Sequence, residues 1–310
     1  MQSVVILGAN GQDGSFLCEI EAAAGRRVLA VGRQPAYAWE QPEGDFQYHQ
    51  LDVFDQRALR IFLDEHKPQL IFHVAAVHGA AGFAYEPVVE QLFGVAVVSV
   101  HTCLEYLRQR GSGQLFYASS AKVFGAQLNG DIDESTPRRA DCLYGTAKIA
   151  AGNLIDCYRR DHQANALVAY LFNHESTRRP PEFFVPTIAR ALAAGLAGEH
   201  SKENIKTLDF HADWGCAREY MELVSRAMQI SLNEDLVIAT GSTVYAADAV
   251  SELFAAHGLD YRDYLDVAVK AEQDVPAPFS ADIGKLASKV GGIPVTGFRR
   301  LVENIAGAPA

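Results

Sequence analysis

Two rhythms of apolar residues alternate along the first half of the chain. Short strand-like runs stand at Val4 to Leu7, Val28 to Val31, Phe46 to His49, Leu70 to Val74, Gln114 to Ala118 and Ala166 to Phe172. Between them apolar residues recur at helical spacing: Phe16, Leu17 and Ile20, then Leu59, Phe62 and Leu63 in a helix predicted over 55–66. A longer helix is predicted over 88–109, apolar at Val88, Leu92, Val95, Val98 and Leu104, and ended by Gly111 to Gly113. The order β-α-β-β-α-β-α-β predicts an α/β fold with a Rossmann-type parallel sheet and a crevice at its strand ends. Residues 1–172 are assigned to this sheet domain, with 212–241 returning to it. A smaller, mostly C-terminal substrate-binding lobe is expected from 173–211 and 242–310, with helical stretches at 186–197, 246–256 and 282–290.

Glycines punctuate the first strand and helix as Gly8-Ala9-Asn10-Gly11-Gln12-Asp13-Gly14. Gly8 lets the chain turn off the strand, Gly11 lets a pyrophosphate approach the backbone, and Gly14 lets the helix lie close to the sheet. The whole turn, Asn10, Gln12 and Asp13 included, is read as part of a dinucleotide site. At the end of the second strand, where a carboxylate would select NAD, the chain has Arg33, whose donors suit the 2′-phosphate of NADP. Arg26 and Arg27 lie nearby, and an arginine capping a strand end is the alternative. Asp52 and Val53 follow the third strand and are placed at the adenine edge, unless Asp52 caps the next helix. Ala75 and Ala76 after the fourth strand permit close packing against the cofactor, and His78 reads as a substrate contact or an ordinary loop histidine.

The formal net charge of −11 disfavours nucleic acid and anionic membranes as partners. No consecutive run approaches eighteen apolar residues, and the first strand begins too early for a signal peptide, so a cytoplasmic protein is expected. Cys18, Cys103, Cys142, Cys157 and Cys216 form no CxxC and no zinc spacing with histidines. They read as reduced, mostly buried thiols, with no metal.

Strand five runs into Ser119-Ser120-Ala121-Lys122, and Tyr144-Gly145-Thr146-Ala147-Lys148 opens another amphipathic helix. The i,i+4 spacing puts Tyr144 and Lys148 on one helical face. A lysine ammonium near a phenol favours phenolate, and a serine hydroxyl across the cleft can hold the same substrate oxygen. Ser120, Tyr144 and Lys148 therefore make a site for moving a proton on or off a sugar hydroxyl or carbonyl, and Tyr144 and Lys148 also border the cofactor.

The GxxGxxG spacing with the Ser-Tyr-Lys set resembles the extended short-chain dehydrogenase/reductase superfamily. A finer resemblance is to the GDP-mannose 4,6-dehydratase family. It rests on Gly11-Gln12-Asp13-Gly14-Ser15, on Asn173-His174-Glu175-Ser176-Thr177-Arg178-Arg179, on Asp213-Trp214-Gly215 with Ala217-Arg218-Glu219-Tyr220, and on Leu236 to Gly241. The resemblance implies NADP as cofactor, a nucleotide-sugar substrate, substrate contact by Asn173, phosphate or interface contacts by Arg178 and Arg179, and a homodimer or tetramer. In that assembly the helices 88–109 and 144–160 would meet their symmetry mates through residues such as Val97, His101, Ile149 and Leu154.

The departures from the family are as informative. Its dehydratases carry a glutamate two residues after the catalytic Ser/Thr, which takes the C5 proton; this chain has Lys122. Lysine occurs at a comparable position in related UDP-N-acetylglucosamine dehydratases, and burial or neighbouring cations would let it act as a base. Alternatively Lys122 neutralises Asp131, Asp133 or a substrate phosphate. The family's arginine before Asp-Trp-Gly is Ala212, its basic pair after Phe-Val-Thr is Pro186-Thr187, and its Arg-Pro pair is absent near Glu272 to Pro276. Arg190, Arg218 and Lys270 are candidates to replace them. The leading expectation is oxidation at C4 of a nucleotide-linked hexose followed by water loss. The alternatives are a 4-keto-sugar reductase or epimerase, and a weakened NADP-binding homologue that partners an active enzyme.

Overall fold

The computed structural model describes residues 2–80, 82–125, 128–269 and 277–308. Its strands are β1 (Ser3–Leu7), β2 (Arg27–Gly32), β3 (Phe46–Gln50), β4 (Leu70–His73), β5 (Gln114–Ser120), β6 (Gly130–Ile132), β7 (Ala166–Leu171), β8 (Asn173–Glu175), β9 (Glu203–Ile205), β10 (His211–Cys216), β11 (Asp235–Ile238), β12 (Thr243–Tyr245), β13 (Leu265–Val267) and β14 (Phe279–Ala281). Its α-helices are α1 (Gln12–Ala23), α2 (Gln56–His66), α3 (Val89–Phe93), α4 (Ser99–Arg110), α5 (Leu143–His162), α6 (Phe184–Leu196), α7 (Ala217–Gln229), α8 (Ala246–Ala256), α9 (Gly284–Val290) and α10 (Phe298–Ala306).

Seven parallel strands form the main sheet in the order β11-β7-β5-β4-β1-β2-β3. All but the partly exposed edge strand β3 are buried on both faces, as continuous apolar runs require when helices cover the two sides. One face packs Val5, Leu7, Ile71, Leu115 and Tyr117 against α2, α4 and α5. The other packs Ile6, Phe72, Phe116 and Leu236 against α1 and α7. Chain order reverses between β1 and β4, and at such a switch point the loops on either side part to leave a cleft at the carboxyl ends of the strands.

A smaller lobe has its own apolar cluster, built from α6, α8, α10 and β10 around Ile188, Trp214, Leu253 and Phe298. A three-stranded sheet, β12-β10-β8, runs through it. Ala212 and Trp214 on β10 pack in this cluster, whereas α7, the next element, packs back on α1. The helix at 298–306 has no counterpart in the expected helical stretches, since its apolar positions Phe298, Leu301 and Val302 are too few to stand out before the lobe surrounds them.

Three local expectations are corrected. Asp55, not Asp52, caps α2, accepting from Ala58 N at 2.9 Å; Asp52 accepts from Phe54 N instead. The long helix begins at Glu86 and changes character at Gly94–Val98, where it takes one π-type turn between α3 and α4. By length and hydropathy Glu86–Arg110 could cross a membrane, yet Leu92, Val95, Val100 and Leu104 are core residues packed against the sheet and α5. Among the five free cysteines only Cys18 and Cys103 are fully buried, and Cys157 is exposed on α5. Val97, Ile149 and Leu154 pack partly against the core of their own chain, and His101 is exposed with its ring 6.0 Å from Tyr158.

Candidate active site

The switch-point cleft is built first from backbone. Gly8 has φ +98°, and a Cβ there would lie 2.7 Å from Ala75 N; at Gly14 it would lie 2.2 Å from the Gly8 carbonyl oxygen. Only glycine lets β1, α1 and the end of β4 approach so closely. Gly8, Asn10, Gly11, Arg33, Asp52 and Val53 line the resulting hollow, with Ala75 and Ala76 on the β4 side. Asn10 fastens its floor, donating to Gln34 Oε1 and Ala36 O at 3.0 Å and accepting from Ala38 N at 3.1 Å. Narrow at its glycines and bordered by exposed Arg33, this cradle fits the pyrophosphate and adenosine ribose of a nicotinamide dinucleotide.

Gln12 and Asp13 turn elsewhere. Gln12 Nε2 donates to His174 O and its Oε1 accepts from Ser176 Oγ, while Asp13 meets His174 Nε2 at 3.0 Å. Burial alone would raise the Asp13 carboxyl, but His174 and Arg179 hold it below its ordinary range; against the same burial, Asp13 raises the His174 imidazolium. The turn after β1 is thus tied side chain to side chain to β8. Both blocks carry the family resemblance, but their contact was not visible in sequence because 162 residues separate Gln12 from His174.

Ser120, Tyr144 and Lys148 come together at the end of β5. Lys148 Nζ donates to Ala118 O at 2.6 Å and lies 4.6 Å from the Tyr117 ring centre and 5.5 Å from that of Tyr144. The Ser120 side chain lies close enough to the Tyr144 phenol to favour its ionised form slightly, against burial. Burial raises the phenol above its ordinary range and lowers the Lys148 ammonium to about 7. The electrostatics therefore differ from the sequence expectation: burial opposes both charges, and lysine donates to a carbonyl instead of the phenol. The order of the three groups along the cleft is nevertheless the one that chemistry at a sugar hydroxyl needs.

Beyond them the cleft opens into two connected hollows of about 580 and 840 Å³. Lys122 and Asn173 line both. Ser120 faces the first, with His211 and Asp213, and Tyr144 faces the second, with His78, Glu175 and Arg179. His78 Nδ1 meets Tyr85 Oη at 2.7 Å, and its ring centre lies 4.6 Å from that of Tyr144. Glu175 was unassigned by sequence reasoning; it is 5% exposed, pairs with Arg179 Nε at 3.2 Å, and burial pushes its carboxyl up to about 7. Its place in the quoted Asn-His-Glu-Ser run was the one available signal.

Lys122 is exposed, so burial, one of the two routes by which a lysine there could act as a base, is absent. Among the described residues it has no ion pair with Asp131 or Asp133; Asp133 instead accepts from Ser135 and Thr136. Arg190 and Arg218 are not brought to the cleft. Arg190 is clamped by both oxygens of Glu203 at 2.9 Å on the lobe surface, and Arg218, in the first turn of α7, lies 2.7 Å from Glu19 and 3.4 Å from Glu222. Arg178 stacks over Phe16 and Trp39 and also pairs with Glu19. Lys270 and the segment 272–276 lie outside the described residues.

Residues 5–284 match the family model described as GDP-mannose 4,6 dehydratase. The GDP-mannose 4,6 dehydratase of Cricetulus griseus is 28% identical over 263 residues, covering 81% of this chain and 71% of that protein. GDP-mannose 4,6 dehydratase 2 of Arabidopsis thaliana is 28% identical over 321 residues, covering 96% of this chain and 84% of that protein. Among solved structures, dTDP-glucose 4,6-dehydratase of Bacillus anthracis in complex with NAD superposes with a TM-score of 0.81 at 15% identity, covering 99% of this chain and 96% of that one. RMD of Pseudomonas aeruginosa complexed with NADPH gives 0.77 at 17% identity, covering 99% and 98%. At these identities the superpositions speak for the fold.

Proposed function

The chain belongs to the GDP-mannose 4,6 dehydratase family, and on that premise we propose that it is an NADP-dependent enzyme that oxidises C4 of a nucleotide-linked hexose. Membership carries nucleotide-sugar dehydratase or epimerase chemistry with NAD(P); the choice of NADP rests on Arg33 at the rim of the dinucleotide cradle, where a guanidinium suits a 2′-phosphate. The observation that carries the proposal is the convergence of Ser120, Tyr144 and Lys148 beside that cradle.

The nicotinamide, when bound, supplies the acceptor and donor of hydride. The residues of the chain handle protons and position. Ser120 hydrogen-bonds the C4 oxygen, and Tyr144 takes its proton. Lys148, packed against the Tyr144 ring, offsets the negative charge that Tyr144 carries before it acts, at the cost of being held in a site that favours its neutral form. Asn173, on the wall shared by the two hollows, orients the sugar.

Family membership favours water loss across C5 and C6 as the next stage. One observation favours a second reading, epimerisation or reduction at C4: exposed Lys122 stands where the family places its C5 base. Both readings begin with the same C4 chemistry. Purified protein loaded with NADP, mixed with UDP- and GDP-hexoses and followed at the NADPH absorbance band, should show transient reduction. Deuterium from solvent at C5 of the product marks dehydration, and its absence with C4 inverted marks epimerisation. No reduction with any nucleotide sugar would overturn the proposal.

A further inference from the structure

Lys122 is the charged group of the cleft that the chemistry above leaves idle. It sits on the turn Ala121–Phe124 directly after β5, with its backbone N–H 3.2 Å from Ser120 Oγ, and lines both hollows. Among the described residues its side chain makes no ion pair and no hydrogen bond. Apart from Glu86, the charged groups that line the hollows with it are engaged. Arg179 lies 3.2 Å from Glu175 and stacks over the Phe183 ring. Asp213 accepts from Thr240 N at 2.9 Å, Thr240 Oγ1 at 2.8 Å and Ser242 N at 3.1 Å. Asp209 accepts from Tyr245 Oη at 2.8 Å and Asp141 also has a partner. A cation thus projects from the wall beside Ser120 with no carboxylate assigned to it among the described residues.

We propose that Lys122 receives an anionic substituent at C6 of the sugar, so that the substrate class is a nucleotide-linked hexuronate. The inference rests on the C4-oxidation reading: with Ser120 on the C4 oxygen, the turn two residues on lies beside C5 and its C6 substituent. A carboxylate base in that position suits a neutral hydroxymethyl group and would repel a C6 carboxylate; lysine reverses both preferences. Asn173, Ser120 and the His211 ring line the same space and offer hydrogen-bond partners to the remaining sugar oxygens. A uronate has no C6 hydroxyl to lose as water, so the class also fits a chain that lacks the family's glutamate. Oxidation at C4 and return from the opposite face would leave the C6 carboxylate in place and change only the C4 configuration.

The test uses matched pairs with one nucleotide each: UDP-glucose against UDP-glucuronate, and GDP-mannose against GDP-mannuronate, titrated calorimetrically into the NADP-loaded full chain. A charge-assisted contact predicts tighter binding of the uronate by about 10- to 100-fold, which is the range of such bonds. The preference should collapse towards unity in Lys122→Met, reverse in Lys122→Glu and survive in Lys122→Arg. Equal binding within each pair by the unaltered protein overturns the inference. So does an equal loss for both members in Lys122→Met, which would put the lysine on the shared diphosphate. Reduction of bound NADP by a neutral hexose as readily as by its uronate refutes the uronate class alone, whereas no binding and no reduction by any of the four removes the C4-oxidation reading with it.

Discussion

The cofactor side and the sugar side of the cleft are built by different means. On the cofactor side the recognition surface is mostly main chain, held open by glycines whose replacement would drive a Cβ into neighbouring backbone. On the sugar side it is mostly side chains contributed by β5, β8, β10 and the loops around α5 and α6, and several positive charges expected there are spent elsewhere. A main-chain cradle tolerates drift in sequence as long as its glycines remain. A side-chain pocket can change substrate through one position, and Lys122 is such a position.

The largest test of the comparison is at the point where both sides meet. Tyr144→Phe should lower turnover by about 100-fold or more, because the lost hydroxyl acts in proton transfer. Bound NADP should be retained, since the cradle of Gly8, Gly11 and Arg33 is untouched. Turnover is read by product mass and cofactor by absorbance; unchanged turnover removes Tyr144 from the chemistry.

Next in size is a change confined to the cofactor side. In Gly14→Ala the new Cβ meets Gly8 O at 2.2 Å and Ala9 Cα at 2.8 Å, both backbone, so α1 must shift off β1. Overpacking of this kind costs about 1–3 kcal/mol. The same displacement should weaken NADP binding, since α1 presents its N-terminus to the pyrophosphate. A denaturation midpoint and an NADP affinity equal to those of the parent would show that the cradle is softer than its contacts imply.

How much could be read in the sequence follows the same division. The succession of strands and helices along the first half of the chain, the glycine turn and the Ser120, Tyr144 and Lys148 set were legible because each rests on local spacing: a run of four apolar residues, a turn of seven, a helical i,i+4 pair. Family likeness extended this to Asn173, which does face the hollows. Arg190 and Arg218 show the limit. Both looked like free cations, and only the fold reveals Glu203 and Glu19 as their partners, 13 and 199 residues away. The charge state of the Tyr144–Lys148 pair was hidden for a related reason, since burial is a property of everything packed around a site and has no motif.

Arg33 separates specificity from structure on the cofactor side. Its side chain is exposed at the cradle rim, so Arg33→Asp removes a phosphate donor and adds a like charge without opening a cavity. The ratio of NADP to NAD affinity should fall about 10-fold or more. Equal losses for both cofactors, measured by titration, would leave Arg33 as a support of the strand end.

The smallest effect is expected at Arg218, where the sugar-side assignment fails on geometry. Its guanidinium is about half exposed, lies 2.7 Å from Glu19 and 3.4 Å from Glu222, and rests near the Phe16 ring on the outer surface of α1 and α7. Exposed pairs of this kind contribute about 0.2–1 kcal/mol. Arg218→Ala should therefore cost stability in that range, more at low than at high salt, because screening already weakens the parent's ion pair. Glu19 would keep a partner in Arg178, so the loss is not that of an orphaned carboxylate. Nucleotide-sugar affinity should stay within about twofold, in contrast to Lys122→Met, where it should change by substrate charge. If Arg218→Ala instead weakened a GDP-sugar more than 10-fold while leaving the denaturation midpoint alone, the anion site would extend to α7, and the division between a main-chain cofactor side and a side-chain sugar side would have to be redrawn through that helix.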